Sequence, residues 1–478
     1  MTDPRPAASS DATTPLRGAL TLTILWSFLI ALVIARRPFD IDGWWHIRVG
    51  EWIVAHHRIP THDPFSWTTT RAHWQLSGWL YDASMGALGR VFPIRGAAAV
   101  VMLLCFTALG PLVFAASRRA GATPWASCLA ACAVQAGMIP FASERPQIVS
   151  YVIFCGVLAQ LPGALRGSRA KVGWLVLLFV LWANVHLAFT IGIAVVAVAG
   201  LGYALMHRRW LAPAVTLVAV TLAGLVSPST YRAYTAALKI RGSALAIDEW
   251  QHASLGDARA ILVGGILLVT IVLMLRDRRW RNLETSLPLA MLTLLFLNAI
   301  RNGPFALLVG GPELALGIAA LAGSSFGRRL AGLRRVARPM RDGVVVGLAV
   351  LIGFSAITLT DARGVDDTTL PRRSVAAIPA GCRLLNEYAQ GGYIIATRGP
   401  QVLVSEDTRQ ILSDAAILEQ QHVLQGRPGA IRWIDRHHVD CVLLEPQRPL
   451  RRQLEARGWK VVARDPSGVL LVRPGTPT

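Results

Sequence analysis

Residues 38–82 read PFDIDGWWHIRVGEWIVAHHRIPTHDPFSWTTTRAHWQLSGWLYD, a polar, Trp- and His-rich stretch set between very apolar ones. An apolar run at residues 16–35 precedes it and another at 96–116 follows. Each run is near the roughly 20 residues a helix needs to cross the hydrocarbon of a bilayer. Residues 36–95 are then a large first loop on one face of a membrane. Packing gives such a loop no reason to carry Asp40, Asp42, His46, Asp63 and six Trp. Function sits on loops held by rigid scaffolds, and carboxylates at a membrane face usually serve a ligand.

The rest of the chain agrees with a membrane setting. It is 53% hydrophobic and 16% charged, with a mean hydropathy of +0.45, outside the range of soluble domains. Further apolar runs fall at 124–139, 147–161, 173–206, 211–226, 258–275, 287–300, 304–322 and 343–359. Run 173–206 is long enough for two short helices, so about eleven spans are predicted. The first run ends Ile34-Ala35-Arg36-Arg37 without a small-x-small cleavage site, which predicts a retained anchor. Residues 1–15, rich in Pro, Ala, Ser and Thr, are expected to be disordered, and 16–360 to form the membrane body. No internal repeat supports an inverted-repeat transporter.

A net charge of +20 invites a nucleic-acid partner, but its distribution argues otherwise. Arg118-Arg119, Arg166/Arg169/Lys171, Arg208-Arg209, Arg276/Arg278/Arg279/Arg281 and the basic run 328–341 fall on alternate inter-helix loops. Such loops are cytoplasmic by the positive-inside rule, and their cations also attract anionic lipid heads. The charge is accounted for by topology and membrane lipids, with no nucleic acid. The N-terminus is then cytoplasmic, while the first loop, 227–257 and everything after residue 360 are extracytoplasmic. The chain is thus read as a multi-pass membrane protein.

Residues 361–478 turn soluble-like, and alternating helices and strands predict a small extracytoplasmic α/β domain. The expected elements are helices at 382–390, 411–424, 429–437 and 450–457. Strands are expected at 393–397, 401–405, 441–444, 460–464 and 469–472, with Gly391-Gly392 as a helix stop. Cys382 and Cys441 are alone in this tail, where a disulfide is open to them.

With this topology the unusual polar residues sort onto one face. They are Asp40, Asp42, His46 and Asp63 in the first loop, Glu144-Arg145, Asn184 and His186, Asp248-Glu249-Trp250, and Arg301-Asn302. A concave polar site at the outer boundary accounts for them. Transfer from a lipid-borne donor suits it: a polyprenyl-phosphate sugar keeps its chain in the bilayer and offers its anomeric carbon at the interface. A carboxylate takes the acceptor's proton, and a cation such as Arg145 or Arg301 stabilises the departing phosphate.

The motifs Asp40-Ile41-Asp42-Gly43-Trp44-Trp45-His46, Gly50-Glu51-Trp52 and Ile59-Pro60-Thr61-His62-Asp63-Pro64 resemble a bacterial family of polytopic membrane proteins. Arg145-Pro146-Gln147, Trp182-Ala183-Asn184-Val185-His186, Arg301-Asn302-Gly303-Pro304 and Asn386 to Tyr393 continue the likeness. That family is placed with the GT-C glycosyltransferases, the architecture of protein mannosyltransferases and aminoarabinose transferases. The resemblance implies a catalytic Asp in the first outer loop, at Asp42 with Asp40 in support. Where the family pattern has His-Glu before Trp-Leu, this chain has Ser77-Gly78 before Trp79-Leu80. The missing acid weakens the case for a divalent metal between loops, which stays open with no cofactor assigned. It also keeps alive a rival: a non-catalytic scaffold, or a lipid or glycan transporter, retaining the fold.

Blander roles exist for each residue. Asp40 and Asp42 can cap a helix, Asp63 before Pro64 can start a turn, and Glu144–Arg145 can be a local ion pair. Arg301 can anchor to headgroups, and Trp52, Trp67 and Trp79 can form an interfacial belt, with Trp44 and Trp45 divided between belt and sugar stacking. The expected site comprises Asp42 and Asp40 as catalytic groups, with His46, Asp63, Glu144, Arg145, Asn184, His186, Arg301 and Asn302 toward the substrate. The acceptor is undefined.

Overall fold

The computed structural model describes residues 14–37, 39–70, 73–239, 251–323, 370–409 and 411–476. Residues 1–13, the basic run 328–341, the apolar run 343–359 and Asp248-Glu249-Trp250 lie outside the described residues.

Within a bilayer the backbone must satisfy its own hydrogen bonds, so the apolar runs fold as helices. The order is α1 (Thr14–Ile34), α2 (Gly43–His56), α3 (Trp79–Gly89), α4 (Ile94–Arg119), α5 (Pro124–Met138), α6 (Gln147–Leu165) and α7 (Arg169–Val185). It continues with α8 (Phe189–His207), α9 (Leu211–Gly224), α10 (Arg232–Lys239), α11 (Ala258–Arg276), α12 (Leu283–Asn298) and α13 (Gly303–Gly323). Among the described residues seven helices are long and apolar enough to cross a membrane, and α9 and α12 are shorter apolar helices. Each predicted run up to residue 322 coincides with a helix. Run 173–206 divides into α7 and α8 around His186-Leu187-Ala188. Inside the bundle Ser27 donates to Gln135 Oε1 (2.7 Å), and Gln135 donates to the Phe106 carbonyl (2.8 Å). This ties α1, α4 and α5 together where polar groups lack water.

The segment between α1 and α4, expected to lie outside, is more ordered than a loop. Its α2 and α3 cross at Gly50 and Gly86, where a Cβ on either residue would overlap the other helix's backbone. Glycine alone allows this approach, and it brings the apolar faces of two short helices together.

The C-terminal part contains α14 (Arg372–Ala376), β1 (Leu384–Asn386), a 3-10 turn (Tyr388–Gln390), α15 (Gly391–Arg398), α16 (Asp414–Leu424) and α17 (Ala430–Arg436). It ends with β2 (Cys441–Leu444), α18 (Leu450–Glu455), β3 (Lys460–Asp465) and β4 (Gly468–Val472). The sheet order is β1-β2-β4-β3, with β1 and β2 parallel and the other pairs antiparallel. Val442 pairs with Leu471, and Val461 with the same Leu471 on the far side. Cys382 and Cys441 form a disulfide with Cα atoms 6.1 Å apart.

Four expectations for this region fail. Residues 382–390 form no helix, because Leu384-Leu385-Asn386 is wholly buried beside β2. Residues 393–397 are helical despite their β-branched content: Gly391, Gly392, Ile394 and Ile395 make one buried helical face. Gly391-Gly392 accordingly begins α15 and does not stop a helix. Residues 401–405 form only isolated bridges, Arg383 to Leu403 and Ser66 to Val404.

The second bridge shows where the sheet rests. Side chains on a strand alternate between faces. One face (Leu384, Cys441, Leu443, Leu470, Val472) shares a core with Trp45, Val49, Ile53, Phe65, Trp74 and Leu76 of the first outer segment. The other (Leu385, Val442, Leu444, Val469, Leu471) is covered by Leu424, Trp433, Leu450 and Leu454 of its own helices. The C-terminal sheet is therefore seated on α2.

Gly50→Ala is expected to cost about 1–3 kcal/mol by overpacking the α2–α3 crossing. Gly265→Ala, where nothing lies within 4 Å of the added carbon, should be neutral. Thermal melting in detergent distinguishes the two; equal melting temperatures would refute the crossing.

Candidate active site

Asp42 is the N-cap residue of α2 but makes no capping hydrogen bond, so its carboxylate is not spent on the backbone of its own helix. It faces Arg145, whose Nε lies 3.2 Å from Asp42 Oδ2 and 2.9 and 3.0 Å from the two Asp40 oxygens. The Asp42 amide also donates to Asp40 Oδ1 (2.8 Å), fixing the two acids relative to each other. Arg145 reaches them from the turn before α6, because Glu144 Oε2 accepts the Asp40 amide (3.2 Å) and anchors that turn. Glu144 and Arg145 are thus not a private ion pair. Both clamp the Asp40–Asp42 loop, whose side chains stay partly open, 16% and 15% exposed.

Three carboxylates around this arginine exceed its charge. Burial raises Asp40 above the usual carboxylate range, opposed by Arg145 and reinforced by Asp42. Burial pushes Glu144 up to about 7, with Asp40 adding repulsion. Glu144 therefore holds a proton below neutrality.

Beneath lies a layer the sequence concealed. His46 Nδ1 pairs with Asp82 Oδ1 in α3, and the imidazole stacks on Trp45 with ring centroids 3.6 Å apart. Asp82 is fully buried, which raises its carboxyl, while His46 lowers it. Asp82 Oδ2 and the Tyr81 hydroxyl have no hydrogen-bond partner. Burial, then Asp82, Glu144 and Asp40, hold the Tyr81 phenol well above its ordinary value. Asp82 supplies an acid one turn beyond Ser77-Gly78; its signal was a lone carboxylate inside the apolar helix WLYDASMGALG.

His186 ends α7 and shares a hydrogen bond with Ser150 Oγ (2.9 Å), which also accepts from Trp182 Nε1 (2.9 Å). Burial, with Arg301 and His46 adding repulsion, lowers His186 to about 3. It is a neutral imidazole, and the same repulsion places Arg301 and His46 in its surroundings. Asn184 is committed to structure: its amide donates to the Val180 and Val226 carbonyls (2.8 and 2.7 Å) and its oxygen accepts from Trp79 Nε1 (2.7 Å). It borders an open apolar groove of about 650 Å³ between α3, α7 and the end of α9. Asn302 donates to the Leu295 carbonyl (3.1 Å) and caps α12.

Asp63 lies apart from this cluster. It accepts the Phe65 amide (2.9 Å), forming the expected turn, and pairs through both oxygens with Arg409 (2.7 and 3.0 Å). Arg409 also grips Asp407 (2.8 and 2.6 Å) and sits over Trp74 at 4.9 Å. Trp67 does not join a membrane belt: its Nε1 donates to the Leu384 carbonyl (2.9 Å). The C-terminal part reaches the site through Thr408, an acceptor for Trp45 Nε1, and through Tyr388. Burial, then Asp42 and Asp407, raise the Tyr388 phenol above its ordinary value, so this group faces the acids. Sequence reasoning missed Asp82, Tyr388, Thr408 and Arg409, because each acquires its role through a contact distant along the chain.

Among the described residues no three His, Cys, Asp or Glu side chains are grouped to hold a metal ion. Asp40 and Asp42 turn toward Arg145 instead, and no step through a metal is derived.

No family model and no curated protein matches the chain. Solved structures do match it. The apo oligosaccharyltransferase of Archaeoglobus fulgidus aligns over 89% of this chain and 69% of its own, at 12% identity and TM-score 0.63. Apo ArnT from Cupriavidus metallidurans aligns over 97% and 98%, at 15% identity and TM-score 0.59. The mycobacterial arabinofuranosyltransferase AftD aligns over 98% of this chain at 16% identity and TM-score 0.59, and this chain covers 40% of it. The archaeal enzyme has also been solved with an inhibitory peptide and a dolichol-phosphate, and ArnT with undecaprenyl phosphate. At these identities the likeness is one of fold: a mainly helical, polytopic GT-C membrane architecture.

Two outcomes are expected. The infrared titration difference between wild type and Glu144→Gln should isolate a carboxylic-acid band lost between about pH 6 and pH 8, because Glu406, pushed up to about 8 by burial, titrates in both proteins and cancels; no difference band would assign the proton elsewhere. Arg409→Leu leaves Asp63 and Asp407 buried and unpaired and should cost about 3–5 kcal/mol, read as early melting and proteolysis of the C-terminal part.

Proposed function

We propose that the protein is a membrane glycosyltransferase that moves a sugar from a polyprenyl-phosphate donor to an acceptor at the outer membrane face. The observation that carries this reading is the convergence of Asp40, Asp42, Glu144 and Arg145 from two separate outer turns, with His186 and Arg301 on two more. The fold is shared with transferases solved with dolichol-phosphate or undecaprenyl phosphate, which supports a lipid-borne donor.

In this reading Asp42 takes the proton from an acceptor hydroxyl as that oxygen attacks the anomeric carbon. The new C–O bond forms as the anomeric C–O(phosphate) bond breaks, with inversion. The bond's electron pair leaves on the polyprenyl phosphate. Asp40 orients Arg145, and Glu144 orients Asp40. Arg301 meets the departing phosphate, and neutral His186 offers a hydrogen bond without charge. The apolar groove beside Trp79 and Asn184 accommodates the isoprenoid chain. The scaffold alternative rested on the acid missing at Ser77-Gly78; Asp82 against His46 favours the enzyme.

In this reading the basic residues support an orientation. Arg118, Arg119, Arg208, Arg209, Arg276 and Arg278 flank the helix ends opposite the site, which by the positive-inside rule favours a site on the outer face of a bacterial cytoplasmic membrane. A disulfide in the C-terminal part suits that compartment.

The test is transfer of labelled sugar from polyprenyl-phosphate donors in membranes. Asp42→Asn, which keeps the shape and removes the base, should lower the rate by about 10²–10⁴-fold. Equal rates for both proteins would exclude Asp42 as the base.

A further inference from the structure

Trp45 fits neither role open to it from sequence, belt or sugar platform. It is buried in the first turn of α2, with its ring against His46. Its one N–H is shared between two acceptors, Asp42 Oδ1 at 3.3 Å and Thr408 Oγ1 at 3.2 Å. The two acceptors belong to different parts of the molecule. Asp42 lies in the first outer segment, and Thr408 on the C-terminal 405–409 stretch.

Each side of this bridge is rigidly held. Glycine at 391 and 392 lets α15 press on the chain: a Cβ at Gly391 would overlap the Glu406 carbonyl, and one at Gly392 would lie 2.6 Å from the Ile41 carbonyl. Arg409, adjacent to Thr408, is locked between Asp63 and Asp407. Thr408 therefore sits at a fixed height above α2. Asp42, with no capping bond, has its two oxygens divided between partners: Oδ2 toward Arg145 and Oδ1 toward Trp45.

We propose that Trp45 and Thr408 are positioning residues for Asp42. The indole N–H fixes Oδ1, and the C-terminal part, through Thr408, fixes the indole. The orientation and basicity of the candidate base are thus set by a domain outside the membrane body. The proposal rests on the reading of Asp42 as the base.

Several charged and titratable groups face that carboxylate. They are Asp40 from its own loop, Arg145 before α6 and Tyr388 from the C-terminal part, with Glu144 beside Asp40 and with Glu406 and Asp407 around Tyr388. The indole donates to Oδ1, whereas Arg145 Nε lies against Oδ2. Removing a hydrogen bond to the ionised form favours the protonated one, so the acidic limb of the rate profile should move to higher pH.

The experiment compares wild type with Trp45→Phe, Thr408→Val, Thr408→Ser and Asp42→Asn. It measures kcat against pH in the labelled-sugar assay, and the Asp42 carboxylate directly, as the infrared titration difference between each protein and the same protein carrying Asp42→Asn. Trp45→Phe is expected to lower kcat about tenfold, with acceptor KM unchanged, and to move both the acidic limb and the infrared midpoint upward. Thr408→Val should lower kcat about threefold without raising the midpoint, since the indole N–H is then undivided, and Thr408→Ser should restore the rate. An infrared midpoint that stays put in Trp45→Phe overturns the proposal. So does a uniform loss in Thr408→Val that serine does not rescue, which would mean packing alone. If wild type and Asp42→Asn transfer equally, the base reading fails, while the infrared midpoint still decides whether Trp45 acts on Asp42.

Discussion

A guanidinium with no solvent exposure fixes this architecture. Arg409 can be buried only because Asp63 and Asp407 both meet it, with aromatic rings of Phe65 and Trp74 on its faces. One of those acids belongs to the first outer segment and the other to the C-terminal part. Docking pairs the buried charges and closes one apolar core over them, so the two parts associate as one body. Thr408, Tyr388 and Gly392 follow from that docking, because they lie on stretches that it holds. The site near Asp42 therefore has a floor made by membrane connectors and a wall made by a soluble-type sheet.

Local pattern made much of this visible in advance. Apolar runs gave the helices up to residue 322, since in a bilayer run length and helix length are the same quantity. Strand 441–444 and the hairpin at 460–472 were readable from alternation and turn residues. Reading failed where tertiary contact overrides local preference. Leu384–Asn386 is a strand because β2 waits beside it, and Tyr393–Thr397 is a helix because its glycine-led face fits against Ile41. In the site, Asp40, Asp42, Glu144 and Arg145 were nominated together and do meet. Asp63, Asn184 and Asn302 were nominated on the same grounds, but their hydrogen bonds are spent on structure. A single sequence shows that a polar residue needs a partner, but not which partner it finds.

The charge balance of the site is also a structural result. Arg145 answers two carboxylates, and the third, Glu144, sheds its charge by keeping a proton near neutrality. His186, surrounded by apolar and cationic neighbours, stays neutral. Burial thus leaves a few formal charges near the partly open carboxylates and removes them from the interior. Preorganised groups of this kind stabilise developing charge without rearranging as it forms.

The shared core also sets an order of events in biogenesis. Trp45 and Thr408 lie 363 residues apart, and the membrane helices are made between them. When α2 first emerges, the sheet that covers Trp45, Phe65 and Trp74 does not yet exist. Closing so long a loop is slow, and apolar surface exposed meanwhile invites mispairing. The α2–α3 segment must wait uncovered until the last strands are made. Assembly of the site is then the final step of folding, and a chain cut between residue 370 and β4 would carry the described membrane helices but no finished centre.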